Sequence, residues 1–102
     1  MNTLKSKYLY TKIIDESAKT NYFIREWYKS LELTKLNKEQ ITKMLSNIES
    51  MNVLKDMSDY FYEVDGPRYI AYQPNDDDFI NRENKESIVN KIAEYLFKFI
   101  CN

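Results

Sequence analysis

Residues 56–83 read DMSDYFYEVDGPRYIAYQPNDDDFINRE, and the secondary structure of this stretch decides the fold. It holds the only glycine, Gly66, both prolines, Pro67 and Pro74, and eight acidic residues against two basic ones. Tyr60, Tyr62 and Val64 alternate in one run, and Arg68, Ile70 and Tyr72 in the next. Alternation puts each set on one face of a strand, so the spacing predicts a β-hairpin with strands near 60–64 and 68–73. Pro67 has no N–H, so Asp65-Gly66 cannot be a two-residue loop closed at Pro67, and a longer loop is required. Pro74 ends the second strand for the same reason. Phe61 points opposite its neighbours in this reading. One aromatic face then packs on helices and the other stays partly exposed, with 75–83 as an acidic loop.

Helical patterns flank the stretch. Ile24, Trp27, Tyr28 and Leu31 fall at i, i+3, i+4 and i+7, with Arg25, Glu26, Lys29 and Ser30 on the other side. At that spacing Trp27 is a core anchor. Asn37 is a good N-cap and Gln40 stands three residues on, in capping-box register, before Ile41, Met44, Leu45 and Ile48; this predicts a helix over 38–50. Asn84 can cap a last helix with Glu86 in its first turn. Its stripe is Ile88, Ile92, Tyr95, Leu96 and Phe99, widened by Val89 and Ile100, with Glu94 and Lys98 as an i, i+4 pair and Phe97 off the stripe. In residues 3–16, Leu4, Tyr8, Leu9 and Ile13 favour a helix, although 8–14 is also rich in strand-forming residues. One bent N-terminal helix and two separate ones both fit. The fold class is α+β in one domain, 1–102: a helical N-terminal half, a central antiparallel hairpin and a C-terminal amphipathic helix.

Composition removes most enzyme chemistries. With no histidine there is no His-based acid–base catalysis, no His-activated nucleophile and no His-ligated zinc. One glycine cannot supply a Walker loop, a dinucleotide fingerprint or a nucleophile elbow. The single cysteine, Cys101, forms no internal disulfide, which fits a reducing, cytoplasmic setting. The N-terminus lacks the apolar run of a signal peptide, and no 18-residue apolar span exists. Were Asn75 to open a calcium loop, Phe79 would occupy the fifth position and Ile80 would stand where glycine is needed, so no metal site and no cofactor are expected. Asn, Lys, Ile and Tyr supply 41 of 102 residues, and Lys outnumbers Arg twelve to three, the bias of an AT-rich genome. A low-GC bacterium, or a phage or mobile element within one, is the expected source.

The order helix 21–32, connector, QITKMLSNIESMNVLKD and hairpin resembles the recognition helix and wing of winged-helix regulators of the MarR or PadR type. That resemblance, over about 21–73, implies a DNA-binding repressor in which Thr42, Lys43, Ser46, Asn47 and Ser50 face the major groove and the C-terminal helix forms a homodimer. Charge opposes it. Residues 1–55 carry ten basic and six acidic groups, whereas 56–83 carry a net −6, and an acidic wing repels a polyanion. An acidic, aromatic surface instead complements a basic groove. In size and character the chain is similar to small phage inhibitors of the anti-CRISPR type. This implies a non-catalytic inhibitor of a host nucleic-acid-handling protein such as a CRISPR effector. The expected contact residues are Asp56, Asp59, Glu63, Asp65, Asp76, Asp77 and Asp78, with Tyr62 and Tyr72 as anchors.

Overall fold

The computed structural model describes residues 2–15 and 19–101. They form five α-helices: α1 (Asn2–Asp15), α2 (Thr20–Leu31), α3 (Lys38–Ser46), α4 (Met51–Tyr69) and α5 (Lys85–Phe99). Two 3₁₀ turns, Asp76–Ile80 and Arg82–Asn84, link α4 to α5. No β-strand occurs among the described residues, so the α+β class, the central hairpin and the winged-helix likeness are all overturned.

The reason lies in a longer period than the one that suggested strands. Leu54, Met57, Ser58 and Phe61 fall at i, i+3, i+4 and i+7 and are all buried, while Tyr62 and Val64 of the alternating set face outward. A helix starting upstream, with the Ser50 hydroxyl accepting from the Val53 N–H at 3.4 Å, therefore runs through the supposed first strand. The turn-forming Asp65-Gly66-Pro67 becomes a kink. Asp65 leaves the helical region (φ −148°, ψ 39°), and the helix resumes, with the Ile70 N–H bonded to the Gly66 carbonyl at 2.9 Å. A bend there accommodates the hydrogen bond that Pro67 cannot make. Gly66 is not at positive φ, and a Cβ on it would meet only a Tyr62 ring carbon at 4.0 Å.

Elsewhere the local chemistry follows the sequence more closely. The N-terminal segments are two helices, α1 and α2, packed along each other with the rings of Tyr10 and Trp27 6.1 Å apart. The capping box forms in both directions: Asn37 Oδ1 accepts from the Gln40 N–H at 2.8 Å, and Gln40 Oε1 accepts from the Asn37 N–H at 2.9 Å. However, α3 stops at Ser46, short of the expected 50, because buried Ile48 lies in the connector and Ser50 already caps α4. Asn84 precedes α5 but gives its side-chain N–H to the Asp78 carbonyl instead of capping. Glu94 pairs with Lys38 of α3, joining α3 to α5, while the Lys98 ammonium lies 5.9 Å from the Phe99 ring centre.

The fully buried side chains of Trp27, Leu31, Leu45, Phe61, Ile92 and Leu96 draw α2 to α5 into one core. The wide α5 stripe is spent here, leaving Phe97 outside it. The Cα radius of gyration, 12.3 Å, is what a chain of this length has when packed around one core.

Candidate binding surface

The kinked α4 separates the acidic residues of the 56–83 stretch into two groups. With Leu54, Met57, Ser58 and Phe61 turned inward, the 3.6-residue repeat places Asn52, Asp56, Asp59 and Glu63 along the middle of the opposite, solvent face. The three carboxylates span about two turns, roughly 10 Å of helix axis. Asp56, Asp59 and Glu63 line a groove of about 220 Å³ with Arg25 and Tyr60; the Arg25 guanidinium lies 5.8 Å from the Tyr60 ring centre. Lys55 is bound to Asp59 at 3.1 Å and reaches Asp76 at 3.9 Å, so it ties the helix row to the first 3₁₀ turn. Asp76 and Asp77 extend the acidic surface there, next to Ile80, which is 82% exposed. Tyr62, 49% exposed, stands on the Lys55 flank of the row.

The row costs stability. Asp56 and Asp59 are i, i+3 and Asp59 and Glu63 are i, i+4, spacings at which like charges repel by about 0.2–0.5 kcal/mol per pair. Partial burial, and then the charge of Asp59, push the Asp56 carboxyl above its ordinary value, against the pull of Lys55.

Asp65 and Asp78 serve the fold. Asp65 is only 13% exposed in its side chain. Its Oδ1 accepts from Arg68 Nε at 2.9 Å, and its Oδ2 accepts from the Tyr95 hydroxyl at 2.8 Å and lies 2.8 Å from Arg68 Nη2. Burial raises the Asp65 carboxyl, but the bonds from Arg68 and Tyr95 and the guanidinium charge outweigh it and hold the group below the usual carboxylate range. The chain continues inward, with the Tyr95 and Tyr28 hydroxyl oxygens 2.9 Å apart. Burial, followed by hydrogen bonding to Tyr28 and Asp65, drives the Tyr95 phenol far up, so it stays a neutral donor. Rings of Phe61, Tyr69 and Tyr95 pack at centroid distances of 4.8–5.7 Å around this network, and Tyr69 shares a 2.7 Å hydrogen bond with Ser58. Asp78 is spent on the turn, its Oδ2 accepting from the Asn75 N–H at 3.1 Å. Tyr72 is half-buried against Tyr95 and Phe99, on α5. Of the expected contact set, Asp56, Asp59, Tyr62, Glu63, Asp76 and Asp77 thus share one region, and Asp65, Tyr72 and Asp78 do not.

Of the residues expected to face DNA, Thr42, Lys43 and Ser46 lie on α3, Asn47 is its C-cap and Ser50 is the N-cap of α4, with no wing beside them among the described residues. The Thr42 hydroxyl donates to the Lys38 carbonyl at 2.7 Å, and the Ser46 carbonyl accepts from Lys85 at 2.8 Å. Lys43 and Asn47 line a groove against α1. The signal for this row in the sequence is the i, i+3, i+7 spacing of Asp56, Asp59 and Glu63, which a strand over 60–64 would break up. Among the described residues no group of three or more Asp, Glu or Cys side chains is arranged to hold a metal ion, and no helix is long and apolar enough to cross a membrane. No protein-family model matches the chain, and neither a curated protein nor a solved structure matches it.

Proposed function

We propose that the protein is a non-catalytic binding module of the anti-CRISPR kind, encoded by a phage or mobile element, that occupies a basic nucleic-acid-binding groove of a host protein such as a CRISPR effector. The observation that carries this reading is the row Asp56, Asp59 and Glu63 on the outer face of α4, in which only Asp59 has an ion-pair partner, Lys55, among the described residues, and which Lys55 links to Asp76 and Asp77. Like charges at these spacings repel, and cations brought by a partner would relieve what Lys55 leaves uncompensated. A groove that normally holds phosphates supplies those cations, speeding encounter by complementary potential. Tyr62 offers the amphipathic ring that anchors such contacts.

The test uses tagged protein as bait in nuclease-treated lysate of a low-GC bacterium carrying a CRISPR system, beside the variant Asp56→Asn, Asp59→Asn, Glu63→Gln. Retention of a nucleic-acid-handling protein by wild type and its loss in the variant is the expected result, together with competition by added guide RNA or DNA. Equal capture by both proteins contradicts the reading. Capture of DNA alone, undiminished in the variant, replaces it with a DNA-binding role.

A further inference from the structure

The acidic row on α4 has a counterpart on α1. Ser6, Leu9, Tyr10 and Ile13 fall at i, i+3, i+4 and i+7 and are all buried, so they turn that side of α1 onto the core. Lys5, Tyr8 and Lys12 then share the solvent side at i, i+3 and i+7. Tyr8 is 61% exposed, and the Lys12 ammonium lies 5.8 Å from its ring centre. Neither lysine pairs with a carboxylate among the described residues. Asp15, the one acidic residue of α1, follows beyond the end of the triplet.

This is the spacing of Asp56, Asp59 and Glu63. On each helix the outer members of the triplet stand seven residues apart, roughly 10 Å along the axis. On α1 they are lysines; on α4 they are Asp56 and Glu63, carboxylates with no ion-pair partner among the described residues. Arg25 lines the same groove but lies over the Tyr60 ring and leaves both unpaired. The middle members are Tyr8, which is uncharged, and Asp59, whose charge Lys55 already meets. Laid side by side in either direction, the two helices bring each lysine to a carboxylate and set the neutral ring near the place that needs no further cation. Within one copy the two triplets do not pair.

We infer that α1 of a second copy docks on the α4 row, with Lys5 and Lys12 on Asp56 and Glu63 and the Tyr8 ring between them. α1 carries three lysines and one aspartate, and α4 four carboxylates against Lys55 and Arg68, so the helices also attract as wholes. A contact made chiefly of exposed ion pairs is weak, with a dissociation constant of about 100 µM. Dilute protein is then a single chain and concentrated protein is associated. A docked copy covers the row, so a host groove has to displace it. The inference uses the exposure of the row and not the identity of a host partner. It can therefore fail while capture from lysate succeeds, and the reverse.

Analytical ultracentrifugation of the purified full chain tests it, over protein concentrations up to about 1 mM. The expected result is concentration-dependent association at low salt that weakens at least tenfold in about 0.5 M salt. Two charge reversals follow, Lys5→Glu with Lys12→Glu in one chain and Asp56→Lys with Glu63→Lys in another, each checked for folding by circular dichroism. Each alone should be monomeric. Their equimolar mixture should associate again, because every reversed triplet then meets its complement. The milder pairs Lys5→Gln with Lys12→Gln and Asp56→Asn with Glu63→Gln should each weaken association about tenfold, which keeps the test decisive if a reversal disturbs the fold. A monomer at every concentration, association unchanged in the milder pairs, or a mixture of folded reversals that stays monomeric would overturn the inference.

Discussion

Asp59 and Asp65 sit on the same helix, and the structure puts them to opposite uses. Asp59 stands in the solvent between Asp56 and Glu63, with Lys55 as its bonded counter-charge. Asp65 sits at the kink, held by Arg68 and by the Tyr95 hydroxyl at the end of an inward chain of phenols. One carboxylate stabilises because its hydrogen bonds are nearly closed off from water; the other belongs to a row whose repulsion a partner would relieve. Charge count alone does not separate them. What separates them is the side of the helix and the residues that come from elsewhere in the chain.

Changes on the inner side should have the largest effects. Phe61→Ala removes a fully buried ring that touches Tyr28, Tyr69 and Tyr95, and urea denaturation should show a loss of about 3–5 kcal/mol. Asp65→Asn removes the charge that orders Arg68 and Tyr95 and should cost about 2 kcal/mol at neutral pH. Its pH dependence has a definite sign. The folded Asp65 carboxyl lies below the unfolded value of about 3.9, so its contribution is whole above the carboxylate range and is lost as pH falls through the lowered folded value. Asp56, raised in the folded state, has the opposite sign: its favourable contribution exists at low pH and disappears as pH rises through its folded value. Stability curves of Asp65→Asn and Asp56→Asn should therefore depart from wild type in opposite directions, and departures of the same sign would break the contrast.

A smaller effect tests the kink itself. Gly66→Ala adds a methyl group into space at a residue without positive φ, so it should stabilise by about 0.5 kcal/mol through the unfolded chain. A glycine required by a hairpin turn would instead lose stability on the same change. The thermal midpoint of this variant distinguishes the two directly.

The helices around this region were legible because their signals are local. The Asn37–Gln40 capping box and the stripes of α2 and α5 need only neighbours within two turns, and each occurs as the spacing implies. Residues 56–73 carried two competing periods. Tyr60, Tyr62 and Val64 alternate, but Leu54, Met57 and Phe61 extend the helical repeat upstream, and burial of the latter set wins. Asp-Gly-Pro, a turn signal between strands, serves equally as a helix kink once a core lies under it. The fate of Asp65 was beyond local reading because Tyr95 is 30 residues away, and the α1–α3 groove joins Ser6 to residues more than 30 positions on. Lys55, which gathers Asp59 and Asp76, is likewise a tertiary feature.

If the row on α4 serves recognition, Asp56, Asp59 and Glu63 should contribute nothing to the stability of the fold. Urea denaturation of Asp56→Asn, Asp59→Asn, Glu63→Gln beside wild type, at neutral pH and low salt, tests it without any partner. Removing two repulsive pairs, against one exposed bridge of small worth, predicts stability equal to wild type or higher by a few tenths of a kcal/mol. A loss of about 1 kcal/mol or more would show that these carboxylates are structural, and the recognition surface would have to be sought elsewhere.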